Sequence, residues 1–177
     1  LTHSTLDLFI LSVLDRGLET PYDLNRQGGL SLGSTVPALR RLETEGLVRK
    51  KAPVGSSQRL RHWFQLSAAG RRLARGGWMP LLKDQPPSDF EAVLRLVDMA
   101  RHYRARPADI VTFLEAAASE RRSSARSGVS ESHEMRDSLG LVATREAWDV
   151  ARLRAEAKFL EGLAKSFRQN HTNALKR

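Results

Sequence analysis

Between Thr35 and Lys51 the chain reads TVPALRRLETEGLVRKK, and no other stretch restricts the possible folds as much. Leu39 and Leu42 repeat at a helical interval, Gly46 breaks the period, and Leu47-Val48 run straight into three cations, Arg49, Lys50 and Lys51. A glycine just past the last periodic residue ends a helix by taking the left-handed conformation at little steric expense. The LVRKK that follows alternates as extended chain does. APVGSSQRLR then has the proline, glycine and serines of a loop, and HWFQLS, with Trp63, Phe64 and Leu66, reads as a returning strand. The stretch predicts a helix that stops on Gly46 and feeds at once into a β-hairpin with a long basic tip.

Three helices are predicted around this hairpin besides the one that enters it. Ser4 is placed to cap a first helix whose apolar residues Leu6, Phe9, Ile10, Val13 and Leu14 recur at three and four residues up to Gly17, making one buried face. Thr20 before Pro21 pairs a cap with a favoured first helical residue, so TPYDLNRQ is a short second helix ended by Gly28-Gly29. Ser31 caps the third helix, and Ser67 caps AAGRRLARG before Gly76-Gly77. Helix, helix, helix, hairpin, helix is the order of a winged helix-turn-helix. Pro37 has no N–H, so a helix running unbroken from Ser31 would leave the Gly33 carbonyl unbonded. The third helix therefore either starts near Thr35 or kinks, and both outcomes expose amides suited to a phosphate.

Charge separates the functional classes. Of 29 Lys/Arg and 20 Asp/Glu in the 177 residues, residues 1–83 hold 13 and 6 while residues 84–177 hold 16 and 14, net +7 against +2. Residues 40–83 alone hold 11 cations against Glu43 and Glu45. Such a block suits a polyanionic partner. With no cysteine, disulfide frameworks, thiolate metal sites and thiol redox chemistry are excluded. His3, His62, His102, His133 and His171 are scattered without metal-ligand spacing, and no glycine-rich phosphate loop or nucleophile elbow is present. No enzymatic activity, cofactor or metal is expected. The start, LTHSTLDLFILSVLDRG, carries Asp7 and Asp15 and lacks the basic head of a signal peptide, and no apolar run is long enough for a bilayer. The expectation is a cytoplasmic protein, nucleoid-associated when bound to DNA, with no membrane partner.

YDLNRQGGLSLGSTVPALRRLETEGLVRKK followed by RLRHWFQLSAAGRRL resembles the DNA-binding domain of PadR-type bacterial transcriptional regulators. The shared features are a Tyr-Asp/Glu-Leu second helix, a Leu-Ser-x-Gly opening to the recognition helix, Pro-Ala-Leu-x-Arg-Leu-Glu-x-x-Gly-Leu, and a basic wing closing on aromatic-aromatic-x-Leu-Ser/Thr-x-x-Gly. The resemblance covers about residues 5–75. Two positions depart from it: Val36 stands where the family usually has tyrosine, and Pro21 where it usually has glycine. The resemblance implies a double-stranded DNA operator as partner, wing contacts to the minor groove or the adjacent backbone, a homodimer formed through carboxy-terminal helices, and most often a repressor released by a small effector such as a phenolic acid or planar drug.

On the third helix Leu39 and Leu42 are assigned to the core, leaving Ser34, Thr35, Ala38 and Arg41 on or near the opposite side. Hydroxyls near the helix start suit phosphate or base-edge hydrogen bonds, and Val36 or Ala38 suits a thymine methyl. Arg40 and Arg41 suit phosphates, or are solvated cations paired with Glu43 or Glu45. Lys50 and Lys51 lie where a flanking backbone would pass, and Arg59 and Arg61, with His62, sit at or near the wing. Trp63 and Trp78 are read as structural.

The fold class that results is mainly α with a small β-hairpin wing. A winged helix-turn-helix domain, residues 1–83, precedes an α-helical dimerisation and candidate effector-sensing domain, residues 84–177. DQPPSD marks a break, with Ser88 or Asp89 capping a helix that carries Phe90, Val93, Leu94 and Val97. Arg106-Pro107 opens another with Ile110, Leu114, Ala117 and Ala118 along one side. Residues 119–138 are polar enough to predict fraying or a loop. The last helix carries two apolar lines. Val150, Leu153, Ala157, Leu160, Ala164 and Phe167 follow a coiled-coil alternation, while Trp148, Ala151, Ala155, Phe159 and Leu163 widen the face. Either both pack within one subunit or the first line makes the dimer. Trp148 is a candidate to line an effector cavity, or is core. The function that fits is a sequence-specific DNA-binding regulator, a dimeric repressor relieved by a small, aromatic effector; the alternative is a winged-helix module for RNA or a protein partner.

Overall fold

Ser4 closes a capping box that starts the first helix, α1 (Thr5–Asp15): its hydroxyl accepts from the Asp7 N–H at 3.1 Å, and the Asp7 carboxylate accepts from the Ser4 N–H at 3.2 Å. The computed structural model describes residues 3–51, 63–134 and 140–175. The chain divides into two units, Leu1–Pro80 and Leu81–Arg177.

In the first unit α1 is more buried than a one-faced helix. Leu8, Leu11 and Ser12 are enclosed along with Phe9, Ile10, Val13 and Leu14, whereas Leu6 is only half-buried. The reason is that the third helix, Leu32–Thr44, the fourth, Ala68–Gly76, and the second strand, Trp63–Leu66, all pack against it, so α1 is the centre of the unit. Thr20 caps α2 (Pro21–Arg26) by accepting from the Asp23 N–H at 3.1 Å, with Pro21 in the first turn. Ser31 caps α3 (Leu32–Thr44), accepting from the Ser34 N–H at 3.2 Å. Of the two outcomes, a late start near Thr35 or a helix carried past Pro37, the first is not what occurs. The Thr35 N–H already donates to the Ser31 carbonyl at 3.0 Å, and the helix passes through Pro37.

Gly46 ends α3 at φ +71°, as its position required. The Gly46 and Leu47 amides reach back to the carbonyls of Glu43 and Leu42 at 3.0 and 2.9 Å, and the chain enters β1 (Val48–Lys51) with Val48 in the core. β1 pairs antiparallel with β2 (Trp63–Leu66), Val48 opposite Leu66 and Lys51 opposite Trp63. The Phe64 N–H donates at 2.7 Å to the Glu19 carbonyl, tying the hairpin to the segment before α2. Ser67 then caps α4 (Ala68–Gly76). A Cβ on Gly70 would lie 2.0 Å from the Leu47 carbonyl oxygen, so only glycine lets α4 start this close to the wing. Leu24, Leu30, Leu39, Leu42, Phe64, Leu66, Ala74 and Trp78 complete the core. The unit is a winged helix-turn-helix.

In the second unit Asp89, not Ser88, caps α5 (Phe90–His102), accepting from the Glu91 N–H at 3.1 Å. α6 (Pro107–Glu134) and α7 (Gly140–Leu175) are long partners, and ion pairs Glu115–Arg168, Arg122–Glu161 and Arg121–Glu156 show that they run antiparallel. The polar stretch from residue 119 is therefore helical to Glu134, and its remainder, residues 135–138, lies outside the described residues. What composition hid is that Arg121 and Ala125 are interior. Arg121 donates to Glu156 at 2.8 Å and to the Ala117 and Ser88 carbonyls at 3.2 and 3.3 Å, and its guanidinium lies 5.4 Å from the Phe90 ring centre. Glu156 also accepts from Arg152 at 2.7 Å, a bond that holds the Arg152 pKa above its ordinary value.

The two lines of α7 divide differently from expectation. Ala157, Leu160 and Ala164 are fully buried within the single chain, with Val150, Leu153 and Phe167 half-buried at their ends. This line faces α6, because Glu156 and its neighbours pair with α6 residues, and it cannot at once be the seam to another subunit. The other line stays outside: Trp148 is 67% and Phe159 54% exposed, with Ala151 and Ala155 exposed between them. Phe159 meets only the edge of Phe90, ring centres 6.0 Å apart.

Candidate nucleic-acid interface

Helical geometry sorts the residues of α3 into two faces. At 100° per residue, Gly33, Pro37, Arg40 and Thr44 share one row with Ser34 and Arg41 beside it, and all six are exposed. Thr35, Ala38, Leu39 and Leu42 make the opposite, buried stripe. Thr35 and Ala38 are thus core residues, not groove-facing ones. Thr35 is fully buried and its hydroxyl donates to the Ser31 carbonyl at 2.7 Å. The signal was available, since residues 35, 38, 39 and 42 fall three and four apart, but a threonine and an alanine did not read as apolar. Val36 is half-buried at the edge, and Leu32 opens the helix 49% exposed.

The hydroxyl of Ser34 is turned to the cap. It lies 2.8 Å from the Ser31 hydroxyl and 3.1 Å from the Ser31 carbonyl. Arg41 pairs with neither Glu43 nor Glu45. It reaches α1, where it donates to Asp7, a carboxylate that is 5% exposed and also accepts from the Ser4 hydroxyl at 2.7 Å. Arg41 so anchors α3 to the central helix. Lys50 pairs with Glu43 at 2.9 Å, bracing the wing strand against α3, and Glu45 meets His3 at 3.5 Å.

Arg40, Arg49 and Lys51 are exposed and have no carboxylate partner among the described residues. Alternation along the hairpin places Arg49 and Lys51 on one face, and the register puts Gln65 and Trp63 opposite them. Trp63 is 36% exposed there, so it belongs to the outward face of the wing, whereas Trp78 is enclosed as expected. Arg59, Arg61 and His62 lie outside the described residues.

Sequence reasoning passed over α2. Tyr22 is 61% exposed, and Arg26 one turn later donates to its hydroxyl at 3.4 Å, so a phenol and a guanidinium stand together on the helix that precedes α3. Their spacing of four residues after a Thr-Pro cap was the sign of it. Arg71 and Arg72 on α4 are also exposed, while Arg75 is held by Asp15 at 3.1 Å.

Fold and surface define a winged helix-turn-helix module with a basic, weakly neutralised outer face. No protein-family model matches the chain, and no curated protein does. Among solved structures, Bacillus subtilis PadR in complex with operator DNA aligns over 92% of this chain and 98% of its own, at 13% identity and a TM-score of 0.38. At that level the function has to be read from this chain's own residues.

Proposed function

We propose that the chain is a PadR-type, sequence-specific DNA-binding transcriptional regulator, with α3 as the recognition helix and the β1–β2 hairpin as the wing. The observation that carries the reading is that Arg40 on α3 and Arg49 and Lys51 on β1 stand exposed without carboxylate partners among the described residues. Every other side chain of α3 that could pair is already engaged. Cations held free on a rigid scaffold match a phosphate backbone. In helix-turn-helix proteins the helix before the recognition helix crosses the backbone, which is the place Tyr22 and Arg26 would fill.

A homodimer follows from the same reading, because a two-fold operator needs two recognition helices about 34 Å apart. The face we assign to it is the outer line of α7, Trp148, Ala151, Ala155 and Phe159. A helix with that much apolar surface left outside is unusual in a monomer. A second copy packed on this line would enclose Trp148, 67% exposed in the single chain, and an effector cavity there would form with the dimer. An effector relieving repression must bind the DNA-incompetent dimer more tightly than the competent one.

The test is selection from random duplex DNA, followed by titration of the enriched site over a range of salt. The expected result is a palindrome with half-sites one helical turn apart and, for about six phosphates neutralised in each of the two half-sites, a slope of log K against log salt of about −11. Uniform weak retention with no enriched site would refute it.

A further inference from the structure

The first two turns of α3 present almost nothing that can hydrogen-bond a base. Leu32 is 49% exposed, Gly33 and Pro37 are exposed, and Val36 is half-buried beside them. Of the two hydroxyls in the same stretch, Thr35 is inside the core and donates to the Ser31 carbonyl, and Ser34 turns its hydroxyl to the Ser31 cap. Pro37 has no N–H to offer. The first cation on this surface is Arg40, three residues past Pro37 and about 4.5 Å farther along the axis. Reading guanine, cytosine or adenine directly in the major groove takes a donor or an acceptor side chain, and thymine alone offers an apolar group, its C5 methyl.

We propose that the tip of α3 reads thymine. Leu32 and Val36 form an apolar edge that packs on thymine methyl groups in each half-site, while Arg40 holds the duplex farther along the helix. The inference rests on α3 being the recognition helix, and it names what that helix recognises. Residues 32 and 36 lie four apart, so the two side chains share one edge at the end of the helix that enters a groove first.

The experiment uses the full chain and the duplex enriched by selection, with deoxyuridine replacing thymidine at one position at a time in one half-site. Uracil keeps every hydrogen-bonding group and loses only the methyl. Each packed methyl removed is expected to weaken binding about four-fold, the equivalent of about 0.8 kcal/mol per buried methyl-sized group. Leu32→Ala, at an exposed position outside the core, is expected to erase the uracil penalty at one thymine and leave it at the others. Equal affinity for the thymine and uracil operators, or enriched half-sites without thymine, would overturn the inference while leaving operator recognition standing. Failure to enrich any site would overturn operator recognition itself, and the inference with it.

Discussion

Replacing Leu160 and Phe159 by alanine, one at a time, separates the two faces of α7, because the neighbours differ in sequence by one position and in burial by the whole range. Leu160 is 0% exposed against α6. Leu→Ala at such a site loses the transfer free energy of the side chain and leaves a cavity, together about 3 kcal/mol. Phe159 is 54% exposed and meets only the edge of Phe90, so Phe159→Ala is expected to cost the folded chain about 1 kcal/mol. At an interface the order reverses. A phenylalanine surface of about 200 Å², 54% of it open, offers about 110 Å² for burial, or about 2.7 kcal/mol at about 25 cal/mol/Å². A two-fold interface contains the residue twice, and allowing for incomplete burial the dimer should weaken by at least about 100-fold. Urea unfolding at fixed protein concentration reads the first quantity, and sedimentation equilibrium over a dilution series reads the second. The assignment is refuted if Leu160→Ala costs less than about 1 kcal/mol, or if Phe159→Ala leaves the dissociation constant unchanged.

Other substitutions probe the winged unit. Gly70→Ala forces a Cβ to within 2.0 Å of the Leu47 carbonyl oxygen and should destabilise the unit by about 3 kcal/mol, the upper end of overpacking penalties. Gly76→Ala, where the nearest atom is the Met79 methyl at 3.9 Å, should raise its stability by about 0.5 kcal/mol; both are read by thermal unfolding. Asp7→Asn removes the charge that Arg41 binds, and with Arg41 half exposed the loss should be about 1–2 kcal/mol in chemical denaturation. Arg40→Ala, at an exposed position, should change stability by less than about 0.5 kcal/mol and, with one Arg40 lost from each half-site, make the salt slope of DNA binding shallower by about 1.8.

Much of the winged unit was legible because its signals are local. Ser4, Thr20, Ser31 and Ser67 are each followed by a helix whose amide three residues on donates to the cap hydroxyl, and Gly46 has the positive φ its place demands. Where the reading failed, the deciding partner was distant in sequence. Nothing near Arg41 in the chain says that Asp7, 34 residues earlier, will hold it, so nearby Glu43 and Glu45 looked like its partners. Thr35 and Ala38 carry little apolar signal of their own, and only their spacing with Leu39 and Leu42 pointed them inward. In α6 the run of serines and arginines looked unstructured, yet Arg121 is interior because Glu156, 35 residues later, meets it. The two apolar lines of α7 were both visible, and which of them α6 would cover was not written in either.

The joint between α3 and β1 is three residues long, Glu45, Gly46 and Leu47, and its two back-reaching hydrogen bonds leave it no slack. α3 and the first wing strand therefore behave as a single lever. Adding or deleting one residue there would swing every β1 side chain to the opposite face, sending Arg49 and Lys51 inward and Val48 out. A lineage built on this scaffold inherits the length of the joint unchanged.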